Sequence, residues 1–259
     1  MGRFDLQAKY LRLDQEHGAY EIRCLICADH ELVVVAPTAH PIQKILYLLD
    51  GNAAFDELAL DALVAKDGLA IVAVGYCGAA KFDLDRRSRD YTPLPPAGWD
   101  GGSRRALDRP YGGAAEFRAR LVGEIVPMAE HDLNAGKPQR ILWGHSYGGL
   151  FAFWALMCGD ESFDAVHAAS PSLWWGDYML ERQVEAGQVN PDAGTQLALS
   201  MGDSEVSRTG ERLYSPERLE ALAQSLRVNH EMDCQVTIFD EAGHGATFAR
   251  SLAHTIDAL

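Results

Sequence analysis

The stretch Ile141-Leu142-Trp143-Gly144-His145-Ser146-Tyr147-Gly148-Gly149 delivers an apolar strand directly into the pattern Gly-x-Ser-x-Gly. This is the spacing of a nucleophile elbow, a tight strand-to-helix turn that lifts its serine, here Ser146, to the tip with the hydroxyl exposed. Glycine is expected at 144 and 148 because a Cβ at either would meet neighbouring backbone. The five-residue pattern alone is common; its setting makes it specific. A strand-like segment, Arg140 to Trp143, precedes it, and a helix-forming run, Leu150-Phe151-Ala152-Phe153-Trp154-Ala155-Leu156, follows.

Outward from the elbow, apolar runs alternate with helical patterns, the signature of a sheet covered by helices on both faces. Strands are expected at Tyr20 to Cys27, Ile45 to Leu49, Leu69 to Val74, Arg140 to Trp143, Ala165 to Ala169, Gln196 to Ser200 and Gln235 to Phe239, the first of them antiparallel. Runs such as Ile71-Val72-Ala73-Val74 do not alternate, as befits central strands buried on both faces. Helices are expected at Asp56 to Lys66, Ala114 to His131, Gly148 to Met157, Ser215 to His230 and Thr247 to Ala258. The chain is therefore placed in the α/β class, with a mostly parallel central sheet in a single domain over residues 1–259.

From about 75 to 113 the periodicity disappears. Nine of the 23 residues from Tyr91 to Gly113 are Gly or Pro, so this is read as a long irregular excursion rather than a helix or strand. Ser170 to Asp177 and Gly202 to Gly210 are also irregular and follow strands. They belong at the carboxyl edge of the sheet, where open α/β sheets bind ligands.

The formal charge of −14 argues against a general nucleic-acid or anionic-membrane binder. No stretch reaches the length of a membrane span, and Met1-Gly2-Arg3-Phe4-Asp5-Leu6 lacks the apolar run of a secretory signal, so a cytoplasmic location is expected. Five cysteines, scattered through apolar segments, make no disulfide framework. Cys24-Leu25-Ile26-Cys27 has redox or zinc spacing but no second pair, and is read as buried thiols. No metal or organic cofactor is implied.

A serine hydroxyl is a poor nucleophile at neutral pH and needs a base that is itself oriented by an acceptor. After an elbow of this kind the chain order is serine, acid, histidine. His244, in Glu241-Ala242-Gly243-His244-Gly245 after the last expected strand, satisfies that order as the base. His167 falls inside a strand, His230 at a helix end and His254 within a helix, while His145 is read as a packing residue. The acid belongs in Met201-Gly202-Asp203-Ser204-Glu205. Glu205 is preferred to Asp203, because an Asp beside a Gly is also what a simple turn contains, and Asp240 is a third candidate. A tetrahedral intermediate needs two backbone donors. The amide of Tyr147 is one, and Gly51 in Asp50-Gly51-Asn52 permits a turn that aims the amide of Asn52 inward as the other.

Six motifs are similar in combination to the esterase D family of α/β hydrolases. They are Tyr47-Leu48-Leu49-Asp50-Gly51-Asn52, Arg87-Ser88-Arg89-Asp90-Tyr91-Thr92-Pro93, Gly112-Gly113-Ala114 leading to Glu124-Ile125-Val126-Pro127, Gly144 to Phe151, Ser170-Pro171-Ser172-Leu173-Trp174-Trp175, and Gly243-His244-Gly245. Within that family the chain resembles the siderophore esterases that cleave the trilactone of enterobactin and salmochelin, from about Tyr20 to the C-terminus. The resemblance implies an α/β-hydrolase fold and a serine esterase with Ser146 as nucleophile, His244 as base, Glu205 as acid, Asn52 and Tyr147 as oxyanion donors, and Arg87 as a contact to an anionic substrate. Some trilactone esterases manage with serine and histidine alone, so a dyad stays open. Neither the large N-terminal domain of the cytoplasmic enterobactin esterases nor the export or anchor segment of the periplasmic ones is expected here. The implied partner is a small-molecule ester, an anionic ferric siderophore among the options. Hydrolysis of S-formylglutathione, feruloyl or acetyl esters, acyl transfer, and a catalytically silent binding module are the alternatives.

Residues 81 to 109 carry seven cations (Lys81, Arg86, Arg87, Arg89, Arg104, Arg105, Arg109) and five aspartates, a local +2 in a chain whose remainder is −16. This basic island is expected beside the active site, either favouring an anionic ligand or pairing with its own aspartates. Trp174 and Trp175 are expected as an aromatic wall for flat rings or as loop packing, and Gly51 as part of the substrate-facing turn.

Overall fold

Strand β5 (Ala135–His145), which ends at the elbow, lies near the middle of an eight-stranded sheet. The computed structural model describes residues 20–58, 66–78, 81–101, 106–192, 194–207 and 210–259. Its strands are β1 (Tyr20–Cys27), β2 (His30–Pro37), β3 (Ile42–Leu49), β4 (Leu69–Tyr76), β5, β6 (Ala165–Ala169), β7 (Gln196–Gly202) and β8 (Cys234–Phe239), in the order β1-β2-β4-β3-β5-β6-β7-β8. β1 and β2 pair antiparallel, β2 runs antiparallel to β4, and every later pair is parallel. The chain leaves β3 for β4 on one side and reaches β5 on the other. The crevice at the carboxyl ends of β3 and β5 is thus the topological switch point.

Alternate residues of the central strands feed two cores. Ile45, Tyr47 and Leu49 of β3 join one, with Phe117, Phe151 and Leu222; Leu46 and Leu48 join the other, with Trp143, Phe248 and Ile256. The helices divide accordingly. α1 (Gly51–Glu57) and the last helix, α8 (His244–Ala258), cover the second core. α2 (Leu84–Tyr91), α3 (Ala114–Arg120), α4 (Val126–Glu130), α5 (Tyr147–Met157), α6 (Trp175–Glu185) and α7 (Pro216–Asn229) cover the first. A π-helical turn, Leu121–Ile125, joins α3 to α4. Among the described residues no helix is long and apolar enough to cross a membrane.

β2, α2 and α6 are elements that the sequence expectation does not contain. β2 forms a hairpin with β1 that turns on Ala28-Asp29, where Ala28 takes a left-handed φ of 54° without the usual Asn or Gly signal. α2 lies inside the supposedly irregular excursion; its buried residues are Arg87, Ser88, Asp90 and Tyr91, so it shows no apolar stripe. α6 occupies ground read as loop, and its first turn, Gly176 to Tyr178, is left-handed and offers no capping pattern. α1, Gly51–Glu57, stands ahead of the helix expected from Asp56 to Lys66 and ends at Leu58 in extended backbone; residues 59–65 of that expectation lie outside the described residues.

Candidate active site

Ser146 joins β5 to α5 at φ 60° and ψ −115°. A non-glycine residue so placed stores about 1–3 kcal/mol of strain, which the surrounding packing must hold. Its amide is tied to the Ala169 carbonyl at 2.9 Å. A Cβ on Gly144 would come within 2.4 Å of the Gly148 backbone, as the elbow demands. At Gly148 itself the expectation is corrected: a Cβ there meets Leu49 Cβ at an ordinary 3.4 Å, whereas one on Gly149 would lie 2.7 Å from the Ala169 carbonyl. The constraint is carried by Gly144 and Gly149.

His244 opens α8, with Gly243 as its cap residue. Its Nδ1 lies 2.8 Å from Glu205 Oε2. A carboxylate only accepts, so Nδ1 carries the proton and Nε2 is left with a lone pair. Glu205 follows β7 and is held by three more donors on Oε1: Ser170 Oγ at 2.5 Å, the Gly202 amide at 2.8 Å and Thr247 Oγ1 at 2.9 Å. Burial alone would raise its pKa, but the hydrogen bond and charge of His244, with Ser170 and Gly202, outweigh it and bring it to about 2. This anion offsets the unfavourable field that a helix N-terminus imposes on an imidazolium. Asp203 instead accepts from the neighbouring Ser204 hydroxyl at 2.8 Å, and Asp240 is exposed.

Behind the imidazole, His145 is buried and donates from Nε2 to the His244 carbonyl at 3.0 Å. Burial, then the charge of His244, holds its pKa well below that of an ordinary histidine. Ser146, His244, Glu205, Tyr147 and Trp174 share the lining of one cavity of about 570 Å³ with Leu213, Tyr214 and Leu219. That is room for a drug-sized ligand. Asn52 lies deeper: its Nδ2 donates to the Tyr76 carbonyl at 3.3 Å and its Oδ1 accepts the Tyr76 amide at 2.7 Å. With the side chain clamped, the main-chain amide is what Asn52 has to offer at the start of α1.

A family model described as a putative esterase matches residues 34–247. The chain belongs to this esterase family. It is 33% identical over 217 residues to the apo-salmochelin esterase of Escherichia coli O6:H1, covering 82% of this chain and 68% of that one. It is 33% identical over 205 residues to the siderophore enterobactin esterase of Emericella nidulans, covering 71% of this chain and 66% of that one. The chain thus spans about two thirds of the length of these curated relatives. Among solved structures it resembles the enterobactin hydrolase IroE in complex with DFP, with a TM-score of 0.77, 29% identity, and 95% and 97% of the two chains covered. The esterase has the α/β-hydrolase fold and is an ester hydrolase.

Several substrate-facing expectations are changed in this esterase. Arg87 reaches the cavity wall, but it is only 8% exposed and its Nε and Nη2 both bond Asp50 at 2.8 Å. Burial would lower its pKa, yet Asp50 raises it, so the guanidinium stays charged. Arg87, read as an anion contact, lines the cavity and is also held in a buried ion pair that ties α2 to the β3–α1 turn. Gly51 is not on the cavity. The left-handed residue of its turn is Asp50 at φ 50°, and Gly51 is required because a Cβ would come within 2.5 Å of the Val74 backbone. Trp174 lines the cavity, while Trp175 is fully buried, donates to the Pro93 carbonyl at 3.0 Å and packs on Trp99.

The basic island is paired as well: Lys81 with Glu57, Arg86 with Asp83, Arg89 with Asp90 and Arg109 with Asp85. Arg104 and Arg105 lie outside the described residues. Sequence reasoning missed Asp50, Ser170, Ser172 and Thr247 as parts of the site. Both serines lie in Ser170-Pro171-Ser172-Leu173-Trp174-Trp175, beside the two tryptophans.

Proposed function

We propose that this protein is a serine esterase that opens the ester bonds of a catecholate trilactone siderophore in its iron-free form. Ser146 attacks the ester carbonyl while His244 Nε2 takes its proton. The amides of Tyr147 and Asn52 hold the oxyanion, and His244 then protonates the leaving alkoxide. Water, activated by the same imidazole, releases the acid from Ser146. Glu205 fixes the tautomer and stabilises the imidazolium that forms at each step. The observation that carries this reading is the 2.8 Å His244–Glu205 bond at the cavity that also holds the strained Ser146.

The substrate class is supported by the relatives, named for salmochelin and enterobactin. The iron-free form is supported by charge. Arg87 is the one Arg or Lys among the described lining residues, and its charge is matched by Asp50. Among the described lining residues an anionic ferric complex would meet no uncompensated arginine or lysine, on a protein of charge −14. Free thiols at Cys24, Cys27, Cys77, Cys158 and Cys234 fit a reducing, cytoplasmic setting. The described strands, forming one sheet, fit a single catalytic domain.

The test is an assay of purified protein against trilactone, formylglutathione, feruloyl and acetyl esters. Trilactone cleavage to linear trimer, dimer or monomer is expected. Brisk formylglutathione turnover with no trilactone cleavage would contradict the substrate assignment.

A further inference from the structure

The loop after β6 sends one hydroxyl to each end of the catalytic row. Ser170, at a left-handed φ of 40°, donates to Glu205. Two residues on, Ser172 Oγ lies 3.4 Å from Ser146 Oγ, and the Ser172 amide donates to the Ser146 carbonyl at 3.1 Å. Ser172 is 3% exposed and lines the cavity. Among the described residues each of these two hydroxyls has only the other within hydrogen-bond range. The amide contact already anchors the loop, so the Ser172 hydroxyl is left to act on the nucleophile.

We propose that Ser172 is a catalytic residue whose O–H donates to Ser146 Oγ as charge develops there, chiefly in deacylation. The proposal rests on the serine-esterase reading above. At 3.4 Å the contact is longer than the roughly 2.8 Å of a full O–H···O bond, so it weakens the resting nucleophile little. Negative charge on the acceptor shortens and strengthens such a bond. An interaction that is stronger in the transition state than in the ground state is what accelerates a step.

In deacylation His244 Nε2 takes a proton from water, whose oxygen adds to the acyl carbon. The carbonyl re-forms as the C–Oγ bond breaks, the electron pair passes to Oγ, and His244 returns the proton to that atom. Ser172 transfers no proton; it holds the charge on Oγ until the proton arrives. In acylation the same oxygen is the attacking atom, and donation to it blunts its lone pair, so the gain is smaller.

The test is rapid-quench mass spectrometry of Ser172→Ala with p-nitrophenyl acetate, with rates normalised to sites titratable by organophosphonate. Deacylation should fall about tenfold and acylation by less than about threefold, so that acetyl-enzyme accumulates on Ser146. The acid limb of the pH profile should stay in place, since the His244–Glu205 pair is untouched. Equal losses in both steps, or in neither, would overturn the proposal. Wild-type protein that neither acylates nor takes the organophosphonate at Ser146 would instead sink the serine-esterase reading, so the two failures are distinct.

Discussion

Arg87 shows how a single side chain can carry two readings. Its charge and its place in a quoted motif point to an anion contact, yet the carboxylate that binds it is Asp50, 37 residues away in sequence and beyond the reach of local pattern. Removing one partner of a buried ion pair leaves the other unpaired, at a cost of about 3–5 kcal/mol. Arg87→Ala should therefore lower stability by that amount in denaturant melts and reduce turnover of neutral and charged esters in parallel. Arg87→Lys should recover only part, because an ammonium cannot make the two-pronged contact. A loss confined to charged substrates would restore the anion-contact role. Glu205 was legible, by contrast, as one of a few carboxylates in the loop after an expected strand, and the resemblance to the esterase D family implied it as the acid.

The depressed pKa of Glu205 also carries a prediction. Its stabilisation is complete above the ordinary carboxylate range and is lost as pH falls from about 4.5 towards 2, a total of about 3 kcal/mol. Glu205→Gln should flatten that part of the stability profile and cost more activity than Asp203→Asn. An unchanged acid profile in Glu205→Gln would contradict the assignment.

Among the elements, β1 and β6 were readable from their patterns, whereas α2, which buries polar groups, and the apolar β2 were not. β1 and β6 fall where their patterns place them, at Tyr20–Cys27 and Ala165–Ala169. α2 was hidden because its sequence, Leu84-Asp85-Arg86-Arg87-Ser88-Arg89-Asp90-Tyr91, looks solvated while burying ionic groups whose partners lie on other elements. β2 follows a turn whose left-handed position is held by Ala28 in place of Asn or Gly. Ala28 holds a left-handed φ that costs about 1–2 kcal/mol outside Gly, Asn or Asp. Ala28→Asn should stabilise the hairpin, raising stability by about 0.5–1 kcal/mol in urea melts; a decrease would mean that the methyl makes a contact worth more than the strain.

At the scale of the whole molecule, the sheet brings the ends of β3, β5, β6, β7 and β8 to one edge, and with them Asn52, Ser146, Ser172, Glu205 and His244. Topology was legible in outline because parallel strands separated by helices admit few arrangements. Charge compensation was not, since it depends on which loops meet in space. Net charge and paired arginines together predict that the iron-free trilactone is cleaved at least about tenfold faster than its ferric complex, by kcat/KM at low salt. Faster cleavage of the ferric form would reveal an uncompensated cation at the cavity.

The claim beneath all of this is that Ser146 forms the covalent intermediate. Mass spectrometry of digested protein after treatment with an organophosphonate tests it most directly. A single adduct on the peptide carrying Ser146, with ester hydrolysis lost in proportion and no adduct in Ser146→Ala, is the result predicted. An adduct on another serine, or full activity in labelled protein, would contradict the account.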